Sequence, residues 1–174
     1  MNAEMREIIN NLTEDIITQF GIKIPIDNID DVVEKLGGRI VNTTGLAGLG
    51  DGCVCRSGEG FIIQVVPYQS EERKKFTVAH ELGHLFLHMG YLIDEELWEN
   101  QKTEQYYRNG TSAEEEYQAN EFAAALLMPK KKYKEIMDKY TEGNIVYTAR
   151  IAEEFGVSVA AASNRGKFLG YLKW

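Results

Sequence analysis

The chain has 174 residues, 44% of them hydrophobic and 26% charged, a composition typical of one globular domain. Its longest uninterrupted apolar run is seven residues, 122–128, and a membrane-spanning helix needs about 20, so the composition excludes a transmembrane segment. The net charge of −8 divides into −12 over residues 1–129 and +4 over residues 130–174, and an acidic body disfavours direct binding to nucleic acid.

Hydrophobic periodicity and turn residues predict an α+β fold with a small antiparallel three-stranded sheet. The predicted elements are, in chain order, helices over 3–20 and 28–36, strands over 39–42, 52–56 and 60–66, and helices over 70–89, 113–128, 130–140, 145–155 and 158–170. Glycine-rich turns, one of them at Gly48, separate the strands. Residues 94–112 are polar and are expected to be mobile or partly helical.

Capping residues support several of these helix starts. Ser70 and Ser158 are predicted N-caps, Asp27 or Asn28 caps the second helix, and 111–115 carries a capping-box signature. Residues 1–129 are predicted to form the core, with 130–174 as a helical extension packed on it as one domain.

The two cysteines and the N-terminal residues bear on the compartment. Cys53 and Cys55 lie two apart in a predicted strand, so both point to one face, and a disulfide across one residue would be strained. We interpret them as reduced, small apolar side chains in preference to a metal site. The first residues show no apolar signal segment, so we expect a cytoplasmic, reducing location.

All three histidines fall within nine residues of one predicted helix, in the pattern H-E-x-x-H followed by a further histidine. His80 and His84 are four apart and therefore neighbours on one helix face, where both imidazoles can reach one zinc ion. Glu81 lies beside them, where a carboxylate can take a proton from water. The flanking positions are apolar, so these polar groups are expected to be partly buried and in need of partners. The pattern predicts a zinc-dependent peptidase.

A catalytic zinc usually has three protein ligands, so a third one is needed. His88 continues the same stripe, but three residues spread over about 12 Å of helix do not converge on one ion, and we expect His88 to support the ligands instead. Glu116 lies on the apolar face of the helix 113–128, and Glu121 is an acid of the same helix. Asn120, one turn beyond Glu116, could orient a ligand by a hydrogen bond. The spacing favours Glu116.

Three blocks of sequence together resemble the ImmA/IrrE family of metallopeptidases. They are R-x-x-F-T-x-A-H-E-L-G-H over 73–84, E-x-x-A-N-x-F-A-x-x-L-L-M-P over 116–129, and A-x-x-F-G-V-S over 152–158. The resemblance covers nearly the whole chain. It implies a zincin-like fold with a gluzincin-like site, in which His80, His84 and Glu116 hold one zinc and Glu81 is the general base. It also implies a protein substrate, a helix-turn-helix repressor, in a mobile element or a stress response.

Two further features of catalysis follow from the residue types. The chain has no fourth histidine to stabilise an oxyanion, so this role falls to a tyrosine, an arginine, a backbone N–H or the metal. The nearby tyrosines are Tyr91, Tyr106, Tyr107 and Tyr117. The strand 60–66, just before the motif helix, is expected to pair with the substrate backbone.

Other functions remain open at this point. Manganese or iron could occupy the same ligands. The protein could instead be a non-enzymatic regulator with a structural or sensory zinc, whose basic C-terminal part contacts DNA or a repressor through a helix-turn-helix-like segment over 157–169. It could also be a toxin–antitoxin component that sequesters a partner. Oligomeric state is not encoded in any feature of the sequence.

Overall fold

The computed structural model describes residues 1–45, 50–102 and 112–174. The helices are α1 Ala3–Gln19, α2 Ile29–Lys35, α3 Glu71–Leu87, α4 Glu95–Glu99, α5 Ala113–Leu127, α6 Lys130–Lys139, α7 Thr148–Phe155 and α8 Val159–Phe168. The strands are β1 Gly38–Asn42, β2 Gly52–Ser57, β3 Gly60–Val65, β4 Thr141–Glu142 and β5 Ile145–Val146. The predicted α+β class is confirmed. None of the described helices is both long and apolar enough to cross a membrane.

Side-chain N-caps define the starts of α3 and α5, the two helices that carry the candidate site. The Ser70 hydroxyl accepts a hydrogen bond from Arg73 N at the start of α3. Ser112 and Glu115 form the reciprocal capping box that begins α5. Such caps satisfy N–H groups that the first helical turn leaves without partners. The helix starts are therefore fixed locally, as the sequence predicted. Thr111, the first residue of the predicted capping-box signature, lies outside the described residues.

Two predicted segments differ in detail. The predicted helix 145–155 begins only at Thr148, because Ile145 and Val146 pair with Thr141 and Glu142 in a small hairpin that turns at Gly143. Gly143 has φ 57, which favours glycine. In the polar segment 94–112, residues 95–99 form the short helix α4, and the predicted turn at Gly48 lies outside the described residues.

The main sheet is mixed, with strand order β1-β3-β2. β2 and β3 form a tight antiparallel hairpin, and β1 then pairs in parallel with the other edge of β3. The prediction of a wholly antiparallel sheet is wrong for the β1–β3 pair. The prediction that the strand 60–66 pairs with substrate is also wrong, because both edges of β3 are already hydrogen-bonded within the sheet. β2 is the edge strand on the side of α3.

Helix α3 lies between the sheet and α5, in the middle of the hydrophobic core. α3 and α5 approach each other closely at Gly83, where a Cβ atom would lie 2.8 Å from Ala119 Cα. Real carbon atoms do not approach that closely, so only glycine permits this helix contact. Phe86 stacks on Phe122 one turn further along, with 5.6 Å between ring centroids. Glycine within a helix costs about 1 kcal/mol relative to alanine, and here it allows the two helices to face each other at short range.

The C-terminal helices contact the N-terminal part of the chain through two buried cations. Arg165 on α8 is 1% exposed and donates to Glu121 Oε1 (2.8 Å), Asn10 Oδ1 (2.7 Å) and the Met128 carbonyl (3.0 Å). Lys75 on α3 donates to the Ile26 and Phe155 carbonyls, which belong to segments far apart in sequence. Burial lowers the pKa of both cations. Buried charges persist in proteins when they are paired or hydrogen-bonded; Arg165 is paired with Glu121, and Lys75 is hydrogen-bonded to two carbonyls.

Removal of the Glu121 carboxylate is expected to destabilise the fold strongly. Glu121→Ala leaves the Arg165 guanidinium buried without its anion, which costs about 3–5 kcal/mol in comparable buried pairs. Urea denaturation followed by circular dichroism would measure the change in the free energy of unfolding. Glu153→Ala is the control, since it removes an exposed partner of Arg150 and such pairs contribute about 0–1 kcal/mol. Equal midpoints for the two variants would contradict this assignment.

Candidate metal centre

Three residues from two helices, the triad His80, His84 and Glu116, form a triangle whose potential ligand atoms all lie within 4.8 Å of one another. His80 Nε2 and His84 Nε2, on α3, lie 3.0 Å apart. Glu116, on the first turns of α5, places Oε2 3.4 Å from His80 Nε2 and Oε1 3.4 Å from His84 Nε2. The i, i+4 spacing aligns the two imidazoles, and the contact at Gly83 brings Glu116 against them.

This triangle fits a tetrahedral zinc ion. Zinc–nitrogen bonds of about 2.0–2.1 Å imply about 3.3 Å between neighbouring ligand atoms. The two nitrogens are 3.0 Å apart, and each lies 3.4 Å from one of the two Glu116 oxygens. Burial and the neighbouring histidines lower the pKa of His84 to about 3, and burial also lowers the pKa of His80. Both rings are therefore neutral at neutral pH, with lone pairs available to a metal. Nitrogen and carboxylate donors of this kind also suit manganese and iron.

The outer nitrogen of each histidine has its own partner. His80 Nδ1 lies 3.1 Å from Asn120 Oδ1, which can only accept. His84 Nδ1 lies 2.9 Å from His88 Nδ1, and His88 Nε2 lies 3.0 Å from Gln118 Oε1. If Nε2 of each ligand faces a metal, Nδ1 carries the hydrogen, and one consistent set of tautomers runs from His84 through His88 to Gln118.

Glu81 is almost completely buried beside the triad. Burial, and then the negative charge of Glu116, raise the pKa of Glu81 to about 8. The first residue of the edge strand β2, Gly52, lies against it: a Cβ there would be 2.6 Å from Thr77 Cγ2 and 3.3 Å from Glu81 Cγ. Glycine at this position therefore lets the edge of the sheet approach the carboxyl group closely.

The other residues singled out in the sequence have different places. His88 is the C-cap of α3 and belongs to the hydrogen-bond chain, outside the triangle. Glu121, the other acid considered, binds Arg165 and Arg6 instead. Cys53 and Cys55 are buried and not disulfide-bonded; burial raises the pKa of Cys53 to about 12.

Of the four tyrosines considered for the oxyanion, Tyr91 is buried and donates to the Leu36 carbonyl, which engages its hydroxyl in the fold. Tyr117 is exposed on α5, and Tyr106 and Tyr107 lie outside the described residues. Gln118 was not anticipated. In the sequence it is only an amide two residues after Glu116, and such a residue does not indicate a role. Its contact with His88 becomes visible only when α3 and α5 are packed together.

Comparison with known families identifies the chain. A sequence profile of the peptidase family described as the IrrE N-terminal-like domain matches residues 42–167, which include the whole triad. The chain belongs to this family. The family is one of metallopeptidases, in agreement with the donor set brought together by α3 and α5.

Comparison with individual proteins and solved structures supports the fold and nothing beyond it. No curated protein matches the IrrE-like chain. Among solved structures, it resembles a Mycobacterium tuberculosis transcriptional regulator, with a TM-score of 0.58 and 16% sequence identity over 93% of this chain and 50% of that one. The IrrE-like chain thus spans about half the length of the regulator.

Proposed function

We propose that this IrrE-like protein is a zinc-dependent endopeptidase in which His80, His84 and Glu116 hold one zinc ion per chain. The observation that supports it is the convergence of two imidazole nitrogens, 3.0 Å apart, and the Glu116 carboxylate, which has one oxygen 3.4 Å from each nitrogen. The buried carboxyl of Glu81 belongs to the residue next to His80. Three protein ligands leave a fourth position open, which distinguishes catalytic from structural zinc sites.

Glu81 is proposed as the general base. Zinc, when bound, would supply a Lewis acid that polarises the scissile carbonyl and makes water easier to deprotonate. Glu81 takes the proton from the attacking water, because its buried carboxyl is the acid–base group on the residue next to His80. The same proton then passes to the leaving amine, so the carboxylate is regenerated at the end of the cycle.

The edge strand β2 is proposed to hold the substrate backbone in place of β3. β2 lies at the end of the sheet, and its first residue, Gly52, contacts the helix turn that carries Glu81. An extended peptide could add to this edge through main-chain hydrogen bonds. A backbone bound there would pass directly beside the proposed general base.

The proposed substrate is a helix-turn-helix repressor. The support is membership in the IrrE-like family and the charge of −12 over residues 1–129, because an acidic surface attracts the basic surface of a DNA-binding protein. To test this, the zinc-loaded protein would be incubated with a repressor encoded beside it and followed by intact-mass spectrometry. We expect two fragments whose masses sum to the repressor plus one water, and no fragments after chelation. An intact repressor under all conditions would refute this substrate.

The rival hypothesis of a DNA-binding regulator finds less support. α7, Gly156 and α8 do form a helix–turn–helix-like unit, with Gly156 in the left-handed conformation. However, Arg165 is buried against Glu121, so it is not available to phosphates. Arg150 is paired with Glu153, and phosphate contacts by several free cations dominate binding to DNA.

Asn120, His88 and Gln118 are proposed to orient the ligands. His88→Ala removes the acceptor of His84 Nδ1–H and is expected to weaken zinc affinity about 10–100-fold, the usual effect of losing such a partner. Competition with a chromophoric chelator would measure the dissociation constant. Gln118→Glu is the conservative control, because it keeps an accepting oxygen for His88 Nε2–H and should retain the affinity. Unchanged affinity in His88→Ala would show that the ring is only a helix cap.

A further inference from the structure

A cavity of about 810 Å³ begins one helical turn from the proposed metal centre. Phe76 precedes His80 by four residues on α3, and Asn120 follows Glu116 by four residues on α5; both line the cavity. One turn is about 5.4 Å. Asn120 belongs to both places, since its side chain also contacts His80 Nδ1. The cavity therefore continues the groove between α3 and α5 away from the ligands, and α8 forms its far wall.

The walls of this cavity are mainly apolar. Apolar side chains line it from α3, from α5 and the residue after it, and from α8 and the turn before it. They are Phe76, Ala124, Met128, Val157, Ala161 and Phe168. Val157 and Met128 are buried members of the hydrophobic core, so the cavity is continuous with the core at its base. An open apolar space of this kind is the usual setting of a ligand site.

The buried charges of the walls and the helix-capping hydroxyls already have partners, while Glu72, exposed in the first turn of α3, adds a negative charge at the rim. Arg165 binds Glu121, and Arg73 at the rim binds Asp51. The hydroxyls of Ser70 and Ser158 accept backbone hydrogen bonds as helix caps. A charged ligand would have to break these pairs, at the cost of leaving a group without its counterion. The cavity is therefore complementary to a neutral, apolar occupant.

The volume exceeds that of one side chain. Cavities of about 300–1,000 Å³ hold drug-sized molecules, so this one accommodates two or more large apolar side chains together. Because it begins one helical turn from His80, a polypeptide lying on the triad could place neighbouring residues there without a gap in the chain.

We propose that this cavity is a specificity site for an apolar segment of the polypeptide substrate, adjacent to the scissile bond. The proposal rests on the endopeptidase function and adds to it the class of sequence that is recognised. Affinity comes from removal of apolar side chains from water, and charged residues that enter the deep part are rejected because the buried charges there, Arg165 and Glu121, are already paired with each other.

Binding, measured apart from hydrolysis, tests the proposal. A phage library of random 12-residue peptides would be selected on the zinc-loaded Glu81→Gln protein. Peptides that share apolar residues are expected to be enriched, and their dissociation constants would be measured by fluorescence anisotropy. Enrichment of charged sequences, or no enrichment, would overturn the proposal. Glu81→Gln keeps the ligands, so this result does not depend on whether the protein cleaves.

A matched pair of substitutions on α8 locates the binding. Ala161 lines the cavity, whereas the neighbouring Ala160 is exposed and does not. In the Glu81→Gln background, Ala161→Phe is expected to weaken the selected peptides about tenfold or more by filling the space, and Ala160→Phe to leave affinity unchanged. Ala124→Phe, on the opposite wall, should act like Ala161→Phe if both proteins keep the wild-type circular dichroism spectrum.

The remaining outcomes count against the proposal. Equal binding by the Ala161→Phe and Ala160→Phe proteins would place the peptides elsewhere. A dimer in light scattering that Ala161→Phe dissociates would assign the cavity to contact between copies of the chain. By contrast, peptide binding together with an intact repressor in the presence of the Glu81-containing protein would retain the specificity site and refute only the proposed substrate.

Discussion

Replacement of Glu81 by glutamine is expected to lower the rate of peptide hydrolysis about 10²–10⁴-fold, the usual contribution of a general acid–base group. Glutamine keeps the size of the side chain but cannot accept a proton from water. Because His80, His84 and Glu116 are unchanged, the protein should still bind about one zinc per chain. The rate would be measured by mass spectrometry on the cleaved protein, together with zinc content by atomic absorption.

Glu71→Gln provides the matched control for this experiment. Glu71 is an exposed acid in the first turn of the same helix, so the same chemical change there should leave the hydrolysis rate unaltered. A Glu81→Gln protein that holds zinc normally and cleaves at the wild-type rate would refute the proposed mechanism. If instead zinc were lost, Glu81 would have to be counted among the groups that hold the ion.

Substitution of Glu116 is expected to abolish metal binding at micromolar zinc. Glu116→Ala removes one of three ligands, and we expect the dissociation constant to rise about 10³-fold or more. The ligands of a structural zinc site together contribute a binding free energy of about 10–16 kcal/mol, so the loss of one removes a large share of it. His80→Ala should act similarly. Equilibrium dialysis with measurement of bound zinc tests both variants.

Two other acids of α5 serve as controls for Glu116. Glu114→Ala removes an exposed carboxylate two residues earlier, and it should retain one zinc per chain. Glu121→Gln loses the anion but keeps a hydrogen-bonding group for Arg165. If its circular dichroism spectrum matches that of the wild type, it too should retain zinc, because Glu121 points to α8 and not to the triad. Full zinc retention in Glu116→Ala would move the third ligand elsewhere, and His88 would then be the first residue to test.

Local sequence signals account for most of the elements and for the donor residues. The H-E-x-x-H spacing places two imidazoles on one face because the helix repeat is about 3.6 residues. Ser70 is the N-cap of α3, and the capping box at Ser112 starts α5; these two helices carry the candidate ligands. Glu116 could be selected because it lies on the apolar face of its helix, which has to pack against something.

Pairings between distant segments could not be predicted in this way. The parallel register of β1 on β3 depends on which edge remains free once the β2–β3 hairpin has formed, and periodicity does not carry that information. The binding of Arg165 to Glu121 joins residues 44 apart in the sequence. Gln118 acquires its role only because His88 ends α3 opposite it.

The buried guanidinium of Arg165 has a consequence for how the molecule unfolds. It binds α1 through Asn10, α5 through Glu121 and the end of α5 through the Met128 carbonyl. We propose that residues 1–129 and 130–174 form a single cooperative unit, because separation of α8 would strip the counterion and two acceptors from one charge at once. Native-state hydrogen exchange should then give the slowest amides of α5 and α8 the same opening free energy, so that a truncation after Pro129 would yield no independently stable peptidase.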